Sequence, residues 1–231
     1  MIVDTNRRTT PHLACLRNRG VTAIIRYYAR MTRQPEKRLT RAEAEAIVAA
    51  GLHIGVVFQS AGDSAACFGR RTGLKDGVHS RSYAASVIGQ PEGSAIYFAV
   101  DYNADGTDLK ERIVPYFEAV GEAFARSPRR PDYRIGVYGN GIVCATLLDK
   151  GLAELAWLSQ STGHHGHEAF KKSNRWTLFQ HPAAMLCTIG IDEDELRPGA
   201  ADFGGFDRLL APPGLAAIGT AEVMDEGERA S

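Results

Sequence analysis

Ala95-Ile96-Tyr97-Phe98-Ala99-Val100-Asp101-Tyr102-Asn103 is an apolar run that ends abruptly in a carboxylate. Its six consecutive apolar residues, branched and aromatic among them, follow a Gly-Gln-Pro-Glu-Gly turn at Gly89 to Gly93 and read as a strand buried on both faces. Such strands belong to parallel α/β folds, where chemistry gathers just past the carboxyl ends. Taken alone, Asp101 reads first as the cap of a helix beginning near Thr107 or Asp108. The functional reading gains weight because the same arrangement recurs along the chain.

Ile2 to Asp4, Val21 to Tyr28, His53 to Gln59, Arg134 to Tyr138, Leu155 to Ser159, Trp176 to Gln180, and Thr188 to Ile191 leading into Asp192 are seven further strand candidates. Helical patterns separate most of them, at about Thr10 to Asn18, after Thr40, at Ser80 to Ile88, Asp108 to Arg126 and Gly141 to Lys150, with a last one near Phe206 to Leu210. Thr40-Arg41-Ala42-Glu43 reads as a capping box, hydroxyl and carboxylate each satisfying the other residue's backbone N–H. Pro115 must kink its helix or sit within the first turn or two. Eight strands with intervening helices predict a single α/β domain, a (β/α)8 TIM-type barrel over residues 1–210, with 211–231 as a flexible C-terminal tail. A doubly wound open sheet is the alternative, because sequence reports strand order poorly.

Composition narrows the partners. With 27 basic and 27 acidic residues and no long basic run, a nucleic-acid role has no electrostatic support. No segment approaches the ~20 apolar residues of a membrane span. Cys15, Cys67, Cys144 and Cys187 are far apart and fit no zinc-ligand spacing. An even count permits disulfides, but buried free thiols in a reducing compartment are the expectation. Met1-Ile2-Val3 runs straight into Asp4 with no secretory pattern, so a cytoplasmic location is expected, with export by a non-classical route as the other possibility.

In a barrel the strand ends converge on one face. Here they carry Asp4, Arg26, Tyr27, Tyr28, Gln59, Asp101, Tyr138, Trp157, Ser159, Gln180 and Asp192. Aromatic faces stack on sugar rings, amides and hydroxyls match sugar hydroxyls, and paired carboxylates are what glycosidic cleavage needs. Clustered acids cannot all ionise easily, so one keeps a proton near neutral pH and can act as a general acid. Asp101, Asp4 and Asp192 are therefore the catalytic candidates, and a glycan is the expected partner.

The strings Ile25-Arg26-Tyr27-Tyr28, Gly89-Gln90-Pro91 with Ile96-Tyr97-Phe98-Ala99-Val100-Asp101-Tyr102, Ile135-Gly136-Val137-Tyr138-Gly139 and Trp157-Leu158-Ser159-Gln160-Ser161 resemble a glycoside-hydrolase-like family long catalogued as a domain of unknown function. That family resembles the family 25 lysozymes, barrels that cleave peptidoglycan. The resemblance implies that Asp4, Asp101 and Asp192 stand at three of the lysozyme acid positions. It also implies that the Glu serving there as acid falls on Asn103, which cannot donate a carboxylic proton. Peptidoglycan or a related amino-sugar glycan is the implied substrate. Hydrolysis would pass to Asp101, with the substrate's 2-acetamido oxygen attacking the anomeric carbon. The competing reading is a catalytically inactive barrel that binds glycan through Tyr27, Tyr138 and Trp157, with Arg26, Gln59, Asn103, Ser159 and Gln180 as polar contacts.

No metal and no other cofactor is expected. Asp101-Tyr102-Asn103-Ala104-Asp105-Gly106 matches only the first half of a calcium loop, whose twelfth position here is Arg112. His164, His165 and His167 read as a solvated loop unless ligands arrive from elsewhere, which a metal-dependent hydrolase would require. Oligomeric state is not readable from the chain.

Overall fold

The structure, a computed structural model, describes residues 1–125 and 132–211. Seven strands run parallel in chain order: β1 (Ile2–Asp4), β2 (Ala23–Tyr28), β3 (His53–Phe58), β4 (Ala95–Ala99), β5 (Arg134–Gly139), β6 (Leu155–Leu158) and β7 (Leu178–Gln180). A hairpin follows, β8 (Ala184–Leu186) and β9 (Ile189–Leu196), and β9 closes the ring by pairing with both β7 and β1. The result is the expected eight-stave α/β barrel. Between the staves lie α1 (Leu13–Asn18), α2 (Arg41–Ala49), α3 (Arg70–Tyr83), α4 (Gly106–Asp108), α5 (Val114–Ala125), α6 (Gly141–Asp149) and α7 (His167–Lys172).

The closing stave runs antiparallel to both neighbours. A parallel return from Gln180 would need a crossover of a dozen or more residues, whereas a short hairpin reverses direction at once. Only His181 to Ala183 separate β7 from β8, so the chain turns above the rim and β9 descends into the gap. The upper part of β9 pairs with β8, Ala184 opposite Ile191, and its lower part completes the barrel.

Side-chain alternation sorts the core into two layers. Ile2, Ala23, Ile25, Val57, Tyr97, Trp157 and Leu178 fill the barrel interior. Their alternates, such as Val3, Ile24, Val56, Phe98 and Leu158, pack outward against the helices. Below the barrel, the chain after β9 crosses the opposite end: Ile54 and Phe206 exchange backbone hydrogen bonds, and Tyr97 donates to the Phe203 carbonyl. The helix expected over Phe206 to Leu210 is therefore absent, because its backbone groups are committed to β3 and to the turn at Gly89. Of the expected tail, everything beyond Ala211 lies outside the described residues.

One helix departs from expectation and another meets it. The helix expected to begin near Ser80 begins ten residues earlier, at Arg70, as α3, and is followed by a π-helical turn at Ala84–Ile88. Glycine serves close packing there: a Cβ on Gly73 would stand 2.1 Å from the Tyr116 carbonyl oxygen, and one on Gly77 would stand 2.8 Å from the Ala123 Cβ. Pro115 occupies the second residue of α5, next to a π-helical turn at Leu109–Ile113, which accommodates its missing N–H.

The cysteines correct the sequence expectation. Cys67 and Cys144 are free, but Cys15 on α1 and Cys187 in the β8–β9 turn form a disulfide, Cα atoms 5.9 Å apart. Distance along the chain, 172 residues, hides a pairing that barrel closure makes local. The bridge ties the first helix to the hairpin that starts the last stave. Reduction, or Cys15→Ser with Cys187→Ser, should cost about 3–5 kcal/mol and lower Tm by roughly 5–15 °C, measured by calorimetry with and without reductant; an unchanged Tm would show that the bridge does not carry closure.

Candidate functional site at the barrel rim

The antiparallel register of β1 and β9 sets Asp4 directly opposite Asp192. Cross-strand partners point to the same face, and both point inward. Gln180, from β7, donates through Nε2 to Asp4 Oδ2 at 2.8 Å and to Asp192 Oδ2 at 3.3 Å, bridging the two carboxyls. Its Oε1 accepts from the Tyr138 hydroxyl at 2.8 Å, and the Tyr27 hydroxyl donates to Asp4 Oδ1 at 3.1 Å.

Asp101 stands exposed past the end of β4 and accepts from Gln59 Nε2 at 3.0 Å. Lys37, from the loop after β2, donates to Gln59 Oε1 at 2.6 Å, and its ammonium sits 4.4 Å from the Tyr27 ring centroid. Tyr138, Gln180, Asp4, Tyr27, Lys37, Gln59 and Asp101 thus form a connected belt around the rim. It borders a cleft of about 230 Å³ whose lining includes Tyr27, Gln59, Asp101, Tyr138, Gln180 and Asp192.

The electrostatics follow from burial and crowding. Asp4 is pushed up to about 7, first by burial and then by Asp192 and Asp101, against the hydrogen bonds from Gln180 and Tyr27. Asp192 is raised by burial and by Asp101. Burial pulls the Lys37 ammonium down, with Asp101 and Asp4 opposing. One layer below, Asp194 is opposite both Gln180 and Ile2, and burial and then Asp4 hold it well above the carboxylate range. Among the described residues its oxygens accept no hydrogen bond of ordinary geometry, and the Trp157 indole N–H, likewise without a close acceptor there, is the group that partly offsets the burial.

The other nominated residues separate. Trp157 is 1% exposed and packs edge-on against Tyr138, so it forms the cleft floor and presents no open stacking face. Ser159 is buried, its Oγ without a hydrogen-bond partner among the described residues, while its neighbour Gln160 lines the cleft. Asn103 lies beyond the belt: its Oδ1 accepts from the His165 backbone N–H at 2.8 Å and from Asn140 Nδ2 at 3.3 Å, tying two rim loops together. In the calcium-like stretch, Asp105 is instead the N-cap of α4, in a capping box with Asp108.

Arg26 does not reach the cleft. It falls on the outward parity of β2, fully buried, bonding Glu43 Oε1 at 3.1 Å, the Glu36 carbonyl at 2.7 Å and the Thr5 carbonyl. Glu43 also accepts from the Thr9 N–H and hydroxyl, both at 2.8 Å. The expected capping box is therefore half formed. Thr40 caps the Glu43 N–H, but the Glu43 carboxylate is recruited by the buried guanidinium. Lys37, Gln160 and Asp194 escaped the sequence reading. Asp194 follows Asp192 at the strand period of two, a spacing that marks it as inward-facing; Lys37 and Gln160 sit on loops with no comparable signal.

Residues 14–207 match the family model described as Rv2525c-like, glycoside hydrolase-like domain. Two Bacillus subtilis (strain 168) proteins described as uncharacterized are similar. YbfG is 32% identical over 191 residues, 78% of this chain and 26% of that protein, and FadG is 32% identical over 180 residues, 74% and 30%. The chain thus spans less than a third of the length of either. The crystal structure of the Mycobacterium tuberculosis Tat-secreted protein Rv2525c in complex with HEPES is similar at TM-score 0.70 and 23% identity. Its complex with L-tartrate gives 0.72 and 22%; each comparison covers 88% of this chain and 97% of the other. At that identity the likeness is one of fold.

Two variants test the site's electrostatics and framework. Asp194 has a raised folded pKa, so its unfolded form binds fewer protons than the folded form above about pH 4, and the stability it allows falls as pH rises. Asp194→Asn should match wild type near pH 3 and be the more stable protein at pH 7, by urea denaturation across that range; an advantage that fails to grow with pH would contradict the assignment. Glu43→Gln should destabilise by about 3–5 kcal/mol, because Arg26 is left buried without its counter-charge; a loss below 1 kcal/mol in the same assay would overturn that role.

Proposed function

The chain belongs to the Rv2525c-like, glycoside hydrolase-like domain family, and on that basis we propose that it hydrolyses peptidoglycan or a related amino-sugar glycan at the carboxyl rim of its barrel. The observation that carries this reading is Asp4: buried, bridged through Gln180 to Asp192, and holding its proton up to about pH 7. Such a group can protonate a leaving oxygen at neutral pH, the task for which Asn103 has no proton to give. The general acid therefore moves from Asp101, where sequence reasoning put it, to Asp4. Asp4 gives its proton to the glycosidic oxygen as the C1–O bond breaks. The 2-acetamido oxygen of the substrate bonds to C1 while the acetamido N–H donates to Asp101, and water then opens the resulting oxazolinium ring and returns a proton to Asp4. Tyr27, Tyr138 and Gln59 border the cleft with Asp101 and Asp192, next to Asp4, and supply the contacts that orient a sugar ring.

Asn103 favours a second reading. Its side-chain oxygen is spent on joining rim loops, and no carboxylate replaces it at that position. A barrel without turnover would still retain the cleft, and would act as a glycan-recognition domain within longer proteins such as those it resembles.

The Cys15–Cys187 bridge supports action in an oxidising compartment, in place of the cytoplasmic location expected from sequence. The Tat-secreted character of Rv2525c supports the same placement.

Reducing-end release from peptidoglycan and chitin oligomers decides between turnover and binding. Wild type should release reducing ends with a rate that falls as pH rises through about 7. Asp4→Asn and Asp101→Asn should each lose about 10²–10⁴-fold while pull-down on the same polymers persists. Binding without release in wild type would establish the recognition domain, and full activity in Asp4→Asn would remove Asp4 as the acid.

A further inference from the structure

Past β1 the chain crosses the rim as Asn6-Arg7-Arg8 and is pinned at Thr9 by Glu43. This sets Arg7, Arg8 and His12 along a second cavity of about 690 Å³, with Met185, Thr188 and Gly190 of the β8–β9 hairpin also in its lining. The second cavity meets the acid cleft at Tyr27 and Asp192, residues common to both. The rim is therefore one groove with two arms: the charged residues lining the first are Asp101 and Asp192, whereas Arg7 and Arg8 share the second with Asp4, Glu36 and Asp192. Asp101 borders one arm, Tyr27 and Asp192 lie at the junction, and Asp4 borders the other arm with the arginines. Arg7 reaches Glu36 at 3.4 Å in an exposed, weak pair. Arg8 is exposed and has no ion-pair or hydrogen-bond partner among the described residues.

We propose that the second arm is a subsite for an anionic substituent, a carboxylate or phosphate carried on a sugar next to the ring held in the acid cleft. The inference rests on the glycan reading above and adds the charge and register of the ligand. An anion laid over the first arm meets Asp101 and Asp192 with no cation in that lining, whereas in the other arm Arg8, free of any ion pair among the described residues, and Arg7, only weakly held by Glu36, offer guanidiniums that bind carboxylate or phosphate oxygens through paired N–H donors. A chain bearing one such group is thereby held in a single direction across the junction. The volume lies in the range that takes a small ligand. Its walls are fixed from both sides: the Thr5 hydroxyl donates to the Gly190 carbonyl at 2.7 Å, and the Cys15–Cys187 bridge ties the hairpin to α1, which directly follows His12.

Calorimetric titration of the full chain with three tetrasaccharides tests the subsite: neutral chitotetraose, a chitotetraose bearing one phosphate, and a tetrasaccharide of alternating N-acetylglucosamine and glucuronic acid. Wild type should bind at least one anionic ligand roughly tenfold more tightly than chitotetraose, with the advantage fading as salt is raised. Arg8→Glu should remove that advantage, costing the neutral ligand far less, and Arg8→Lys should restore part of it. The anionic ligand that loses more in Arg8→Glu identifies the group recognised. Equal affinity for neutral and anionic ligands, or an advantage that survives Arg8→Glu, overturns the subsite and leaves the glycan reading intact. Failure of all three to bind overturns the glycan reading and the subsite together.

Discussion

The pairing of β9 against β1 is the constraint on which the site depends. It closes the ring, so the interior core is sealed without an exposed edge. It also fixes Asp4 opposite Asp192, two acids on one face of adjacent strands. A one-residue slip would turn Asp192 and Asp194 outward together and bring Glu193 inward. Closure and acid clustering are thus a single structural event.

That event carries an electrostatic cost. Asp4, Asp192 and Asp194 all face inward from the same pair of strands, and each has its neutral form favoured by burial. The surroundings offset this only in part. Gln180 and Tyr27 donate to Asp4, Gln180 also reaches Asp192, and among the described residues Asp194 has no donor of ordinary geometry. A proton retained at neutral pH is the physical consequence, and a retained proton is what acid catalysis at a leaving oxygen requires. On the outer face the opposite solution applies to Arg26, whose charge is fully matched by Glu43 and backbone carbonyls. A barrel wall one residue thick therefore separates an under-compensated acid cluster from a compensated ion pair.

The hairpin that delivers β9 also extends the groove. Because it reverses above the rim, β8 and the top of β9 stand beside the arginine-bearing segment after β1, and the disulfide holds that separation. Covalent and hydrogen-bonded constraints converge beside the larger of the two arms, about 690 Å³ against about 230 Å³. An excursion of the chain required by topology becomes a wall of the second cavity.

The sequence by itself determined the staves, the barrel and most of the rim, because apolar runs of strand length ending in polar residues report burial and chain direction directly. Asp4, Asp101, Gln180 and Asp192 were legible for that reason. Only the tertiary structure decided what depends on a partner distant along the chain. The direction of the last stave follows from a hairpin too short for a crossover. The Cys15–Cys187 bridge follows from closure, and the removal of Arg26 from the site follows from strand parity together with the Glu43 that awaits it on α2. Lys37 and the second arm come from loops, whose positions no periodicity encodes. The proton on Asp4 is of the same kind: its pKa is set by burial and by acids from other strands, and neither exists until the ring has closed.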